Sequence, residues 1–383
     1  MKTHMLVCFV LLLFLFSISC TAQENSFWNE GIEEIEIQKI FEGERFPNVV
    51  VAKNGTVIAT WGSNSFQVRR SEDGGETWGE IITVAEPGFQ GGGTVVDERS
   101  GDILVFVEEG HPPSPVTMYR SSDQGLTWTP EEITIHPDDN GNIPSMHMNE
   151  RGITLQYGPD AGRLIRPTRS YGEGNDRDFW ETHYTNAIYS DDGGKSWQTS
   201  APFPAYGTGE AAIVELSDGR IYYNSRRHLS TDGLNPRMRH IAWSDDGGET
   251  WENLSVSEEL PDGAQHIDYG LMAGLVRLPI DGHDILLFSN IHMTANQVDT
   301  STRTSGRERG TIWASFDGGK TWPVKRLIEE GSFAYSSMAA GREGTPSEGW
   351  IYLFYESENG GKIARFNLAW VTNGQDWYDF ISE

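Results

Sequence analysis

One eight-residue pattern, Ser-x-Asp-x-Gly-x-Thr/Ser-Trp, recurs five times along the chain and limits its fold more than any other feature. It reads SEDGGETW at 71–78, SSDQGLTW at 121–128, SDDGGKSW at 190–197, SDDGGETW at 244–251 and SFDGGKTW at 315–322. Successive copies lie 50, 69, 54 and 71 residues apart. Self-similarity at that period marks a propeller or a related array. Each copy makes sense as a hairpin turn: the Asp accepts backbone N–H groups, the Gly supplies a positive φ, and the Trp packs the turn against the next layer. Strand-like runs precede the turns at 66–70, 117–120, 186–189 and 240–243. Five copies do not set the number of sheets. The longer spacings leave room for extra loops, and residues 350–355 and 362–370 read as further strands after the last copy. The expected fold is all-β, a six-bladed β-propeller of four-stranded antiparallel blades, closed by strands from both chain ends.

Composition bears on compartment and partners. The chain has 383 residues, 43 of them Gly and 13 Trp, with a formal net charge of −27. Such an acidic chain is unsuited to nucleic acid or an anionic membrane surface, both of which select cationic proteins. At the N-terminus Lys2 precedes an apolar run from Met5 to Phe16 and then small residues, the pattern of a secretory signal peptide over 1–22. That run is too short for a membrane span. Cleavage after Ala22 gives a soluble exported domain over 23–383, whereas cleavage before Cys20 makes that cysteine a lipid anchor. Both readings place the protein outside the cytoplasm of a bacterium, in the periplasm, secreted or at the surface. Cys8 and Cys20 are the only cysteines, so the mature domain has no disulfide.

Several segments between the repeats carry a more specific signal. They are Glu44-Arg45-Phe46-Pro47-Asn48-Val49-Val50-Val51, the stretch 158–167, GEAAIVELSDGRIYYNSR at 209–226, SGRERGTIWASFDGGKTW at 305–322 followed by GSFAYSSM at 331–338, and Tyr355-Glu356. In order and local pattern the chain resembles the sialidase (neuraminidase) superfamily, whose six-bladed propellers carry these turns as Asp boxes. The resemblance runs from about Arg45 to Trp370, with Phe46 where the family usually has Ile. It implies that Arg45, Arg226 and Arg307 form a carboxylate-binding triad. By the same resemblance Tyr335 is the nucleophile, Glu210 its base, and Glu356 a brace for Arg45.

These residue types suit one chemistry. Three guanidinium groups can clamp a carboxylate through charge-assisted bonds. In a sialic acid that carboxylate sits on the anomeric carbon, so a charged carboxylate nucleophile meets crowding and repulsion. A neutral Tyr activated by a Glu avoids the repulsion, and Tyr-nucleophile sialidases depart from the two-carboxylate rule for this reason.

One family feature is missing. Members carry an acid/base Asp on a loop between the first arginine and the first Asp box, but residues 59–70 hold neither Asp nor Glu. Glu108, Glu109, His111, Asp176, Asp178 and His183 are the candidates to replace it. The implied function is a secreted exo-glycosidase acting on a terminal acidic sugar of a sialoglycoconjugate, an exo-α-sialidase by default. Two alternatives follow from the missing Asp. One is a lyase or other glycosidase acting on uronate-type glycans, which the residues around Arg166–Arg169 and His183 would suit. The other is a non-catalytic propeller that binds acidic glycans. No metal motif, cofactor fingerprint or phosphate loop is readable, so neither metal nor cofactor is expected.

Overall fold

Short strands that alternate with tight turns bury one edge of each sheet toward a common axis, and six such sheets close into a ring. The computed structural model describes residue 28 and residues 31–90, 92–227, 237–265, 270–293 and 306–381. The expected signal peptide, with Cys8 and Cys20, lies outside the described residues.

The first blade runs Asn48–Val51, Val57–Trp61, Phe66–Ser71 and Ile82–Ala85 in spatial as in chain order. In the second blade the innermost strand is split into Phe89–Gln90 and Val95–Val96, both pairing with Ile103–Glu108. Val116–Ser121 and Thr129–Glu131 follow outward. The third blade is Ile153–Thr154, Leu164–Ser170, Tyr184–Ser190 and Ser196–Thr199, with Thr134–Ile135 added parallel at its outer edge. The fourth is Thr208–Glu215, Ile221–Arg227, Met238–Ser244 and Glu252–Pro261. The fifth is Gly274–Arg277, Leu286–Ile291, Glu308–Ser315 and Val324–Ser332. The last consists of Ser336–Ala340, Ile351–Ser357 and Gly360–Phe366, and its outer strand is the N-terminal Ile35–Glu42. The ring is thus closed by both chain ends, as the repeat pattern implied.

Inner strands such as Asn48–Val51 and Thr208–Glu215 are buried throughout, while the outer strand Ile35–Glu42 is exposed along most of its length. The core is divided among the six seams between neighbouring blades. Val49, Ala59 and Trp61 meet Tyr352 and Phe354 at the closing seam, and Ala212, Val214 and Tyr222 meet Leu275, Phe288 and Trp313 between the fourth and fifth blades.

The five Asp boxes sit at the ends of third strands, in blades one to five. Ser71 Oγ donates to Asp73 Oδ1 at 2.8 Å and accepts from Gly75 N, while Asp73 Oδ1 accepts from Thr77 N at 2.9 Å. The same bonds recur at Asp123, Asp192, Asp246 and Asp317. Partial burial works against the charge of Asp73, but hydrogen bonds from Thr77 and Ser71 outweigh it and hold the carboxyl down at about 2. The second glycine of the box does a separate job. A Cβ on Gly248 would lie 2.1 Å from Ile165 of the preceding blade, and one on Gly75 would lie 2.9 Å from Tyr352, across the closing seam. Each box therefore presses bare backbone onto the neighbouring sheet, and both glycines have φ near +90°.

Antiparallel order then sorts the two faces of the ring. First-strand starts, second-strand ends and third-strand starts share one face. Third-strand ends, with all five Asp boxes, share the other.

Candidate functional site

The residues singled out for chemistry all fall on the face away from the Asp boxes. Arg45 precedes the first strand of blade one, and Glu210 lies near the start of the first strand of blade four, Thr208–Glu215. Arg226 and Glu356 are the penultimate residues of the second strands Ile221–Arg227 and Ile351–Ser357. Arg307 directly precedes the third strand Glu308–Ser315, and Tyr335 directly precedes the first strand Ser336–Ala340. Distant parts of the chain thus meet because each occupies an equivalent end of a blade.

At the centre, Tyr335 Oη donates to Glu210 Oε1 at 3.1 Å and accepts from Arg226 Nη1 at 3.2 Å. Arg226 Nη1 also pairs with Glu210 Oε2. All three side chains are almost wholly buried. Burial by itself would raise the Glu210 carboxyl, but the charges of Arg226 and Arg169 and the Arg226 hydrogen bond outweigh it and hold Glu210 below its ordinary value. An ionised carboxylate in contact with a phenol is the pairing that a Tyr nucleophile requires.

Arg45 and Arg307 flank the ring of Tyr335, each guanidinium carbon 5.2 Å from its centroid. Arg45 is held by a two-point bond to Glu356, Nε to Oε1 at 3.1 Å and Nη2 to Oε2 at 3.0 Å. Its guanidinium is nearly half exposed, so it faces the open end of the pocket while its brace stays covered. Burial opposes the charge on Arg45, yet Glu356 and the nearby Tyr335 and Glu210 raise its affinity for the proton. The following residue, Phe46, sits at φ +75°, a strained setting for a bulky side chain. That backbone turn lets its N–H reach Glu356 Oε1 at 3.1 Å and sets its ring 6.1 Å from that of Tyr335. Strain held by its surroundings in this way is a common mark of a functional site.

The turn after the second strand of blade one is short and sealed. A Cβ on Gly62 would lie 1.7 Å from Ser65 O, so the chain reverses too tightly to form a loop. Glu44 accepts from Ser63 N at 2.7 Å, Ser63 Oγ at 2.6 Å and Asn64 N at 2.9 Å. Slight burial raises this carboxyl, but those bonds prevail and hold it below its usual range. It acts as the turn's staple and has no proton to give.

The six candidates for the missing acid separate by burial and partners. Glu108 closes the second strand Ile103–Glu108 and is fully buried, its Oε1 accepting from Ser145 Oγ and Met146 N. Burial outweighs those bonds and the charge of Arg166, and pushes it up to about 7. His183 is also buried; its Nε2 donates to Gly174 O at 2.8 Å and its Nδ1 accepts from Arg169 Nη2 at 2.7 Å. Burial and the charge of Arg169 lower it to about 4. Glu109, Asp176 and Asp178 are exposed, the last two at the start of the 3-10 turn Arg177–Thr182. His111 is exposed as well, but its ring packs against His147 and Phe89, which in turn pack against Phe46.

Three neighbours had no role in the carboxylate or acid/base set read from sequence, although Arg169 stood in the run 166–169 noted for a uronate-directed alternative. Arg169 bears electrostatically on Glu210, His111, His147 and His183. Tyr171 and His147 are buried polar rings against His111. Arg169 had a readable signal: it is penultimate in Leu164–Ser170, as Arg226 is in its own second strand. Tyr171 and His147 lie in connecting segments with no repeat to align them. Among the described residues no group of three or more His, Cys, Asp or Glu is arranged to hold a metal ion.

The model of the BNR repeat-like domain matches residues 62–347. A sialidase of Micromonospora viridifaciens is 32% identical over 372 residues, covering 86% of this chain and 52% of that protein. A sialidase of Bacteroides fragilis is 26% identical, covering 77% of this chain and 57% of its own length. The chain therefore spans little more than half of these relatives. Among solved structures, an intramolecular trans-sialidase from Ruminococcus gnavus superposes with a TM-score of 0.65 at 16% identity, covering 87% of this chain and 95% of that one. A microbial sialidase designated Hadza Hz136 gives 0.64 at 24% identity, covering 86% and 66%. These structural likenesses speak for the fold.

Proposed function

Because the chain belongs to the BNR-repeat propellers of the sialidase superfamily, we propose that it is an exo-sialidase, a retaining glycoside hydrolase that removes terminal sialic acid from glycans. The observation that carries this reading is the hydrogen bond from Tyr335 to Glu210, made beneath two flanking guanidinium groups. Arg45, Arg226 and Arg307 bind the substrate carboxylate and thereby place its anomeric carbon over the Tyr335 hydroxyl. Glu210 takes the phenolic proton as Tyr335 Oη bonds to C2 and the glycosidic C2–O bond breaks, the departing oxygen taking up one proton to leave as an alcohol. Water then bonds to C2 and gives up one proton, which replaces the one taken by the departing oxygen, while the Tyr335–C2 bond breaks and the proton returns from Glu210 to the phenolate. Two inversions at C2 give retention. Arg226 serves both the carboxylate and the Tyr–Glu pair, so it keeps Glu210 ionised while substrate binds.

The relatives named above as sialidases support this reading, and the apolar run from Met5 to Phe16 supports export of the protein to meet extracellular glycans. The test is release of sialic acid from sialyllactose, with the product anomer followed by NMR from the first turnover. Free α-anomer appearing first supports the reading. A product with an unsaturated uronate absorbance, formed from uronate polymers and not from sialosides, overturns it.

A further inference from the structure

Among the described residues the sealed turn at Gly62–Ser65 offers no carboxylic acid to the leaving-group oxygen, and the other titratable side chains near Tyr335 differ in what they can offer. Glu44 is ionised and bound to the turn. Glu108 lies under Ser145 and Met146 with no exposure. His183 has both ring nitrogens engaged. His147 is fully buried behind Phe46 and Phe89. Burial pushes the Tyr171 hydroxyl up and makes it a poor acid.

His111 differs from all of these. It lies between the second and third strands of blade two, Ile103–Glu108 and Val116–Ser121, which puts it on the face that carries Tyr335. Its ring meets His147 edge-on at 4.8 Å, Phe89 at 5.6 Å and Tyr171 at 6.4 Å. Phe89 in turn meets Phe46 at 5.1 Å, and Phe46 meets Tyr335 at 6.1 Å. The ring is therefore fixed by aromatic contacts yet still open to solvent. His111 Nδ1 lies 3.0 Å from Pro112 O and 3.1 Å from Asn175 Nδ2. Pro112 O can accept from a protonated Nδ1, whereas the Asn175 amide N–H donates to a bare one; in the imidazolium the first contact holds Nδ1–H and leaves Nε2–H as the proton to give.

We propose that His111 is the general acid/base of the reaction, a role that rests on the exo-sialidase reading. As Tyr335 Oη bonds to C2 and the C2–O bond breaks, His111 Nε2–H passes its proton to the departing oxygen. In the second half neutral Nε2 takes a proton from the water that bonds to C2, while the Tyr335 Oη–C2 bond breaks. The imidazolium is restored and no outside reactant is consumed. The groups facing His111 are His147 from the segment before blade three, Arg169 from Leu164–Ser170, Tyr171 just beyond that strand, and Glu210 from Thr208–Glu215. Burial is the largest influence and lowers its affinity for the proton, Arg169 lowers it further, and the Pro112 carbonyl and Glu210 oppose them; the balance lies below the ordinary 6.5. The acid form is then populated on the acidic side, and so is activity on alkyl sialosides.

The test compares wild type with His111→Gln and His111→Ala on sialyllactose and on 4-nitrophenyl sialoside, whose leaving group departs without a proton. The expected loss in kcat/KM is about 10²–10⁴-fold on sialyllactose, the usual range for one general acid, with a much smaller loss on the aryl substrate. The alkaline limb of the sialyllactose pH profile should also flatten in both variants. Equal losses on the two substrates, or no loss on either, overturn the assignment. A wild type that cleaves both and variants that match it refute His111 alone; a wild type that cleaves neither refutes the exo-sialidase reading, and the assignment with it.

Discussion

Tyr335 gives its phenolic hydrogen bond to Glu210, 3.1 Å away and 125 positions earlier in the chain. The two side chains come from blades six and four, and Arg226 touches both. A phenol ordinarily ionises near pH 10, so it is a weak nucleophile at neutral pH unless a base takes its proton. Glu210 can serve because Arg226 and Arg169 keep it charged despite complete burial. The cluster of Arg45, Arg169, Arg226 and Arg307 around this pair is local, since the chain as a whole carries −27.

Replacing Tyr335 by Phe removes the proposed nucleophile and leaves the arginines in place. The expected outcome is a loss of about 10³-fold or more in kcat on sialyllactose, with binding of free sialic acid retained. Steady-state kinetics and calorimetric titration on the same preparation check both halves. Unchanged turnover would remove Tyr335 from the mechanism.

Glu108 supplies a stability signature separate from catalysis. Its carboxyl is held at about 7 in the fold against 4.5 for a free glutamate, because burial outweighs the bonds from Ser145 and Met146. Below pH 4.5 both states are protonated and the group costs nothing. As pH rises from there toward 7 the unfolded chain ionises first, and folded stability falls until it levels off above 7. At about 1.4 kcal/mol per pKa unit the loss is on the order of 3–4 kcal/mol. Glu108→Gln keeps the acceptor oxygen and cannot ionise. Between pH 4 and pH 8 its unfolding midpoint should therefore fall less than that of wild type, as followed by denaturant titration at each pH.

The glycine that presses on a neighbouring blade tests the seam. Gly248→Ala places a methyl group 2.1 Å from Ile165 at φ +88°, so the fourth blade must shift from the third. Overpacking of this kind typically costs about 1–3 kcal/mol. The melting temperature should drop, while KM for sialyllactose stays within about twofold, since the Asp boxes lie on the face opposite Tyr335.

The architecture was readable because the turn pattern repeats: a Ser, an Asp and a Gly at fixed spacing specify one set of hydrogen bonds wherever they occur. The sixth blade has no such turn, and it was legible only through the strand-like runs near Tyr352 and Arg365. Tyr335, Glu210 and Arg226 could be named in advance because their segments resemble those of the sialidase superfamily, though nothing along the chain says that they touch. Arg169 stood within the run 166–169 already noted; His147 and Tyr171 were obscure for a different reason. They reach the pocket through connections between blades, where each sequence is unique. His111 could be named but not ranked, since its exposure and its contacts with His147, Phe89 and Pro112 O exist only after folding.

The central claim, that Tyr335 forms a covalent bond to the sugar, is tested most directly by trapping that intermediate. The protein is incubated with a 3-fluorosialosyl fluoride, whose ring fluorine slows both glycosylation and hydrolysis, and then digested and mapped by mass spectrometry. The account predicts one added fluorosialosyl group per chain, located on the peptide that contains Tyr335 and absent from Tyr335→Phe. An active enzyme that yields no adduct, or one carried by a different residue, would contradict it.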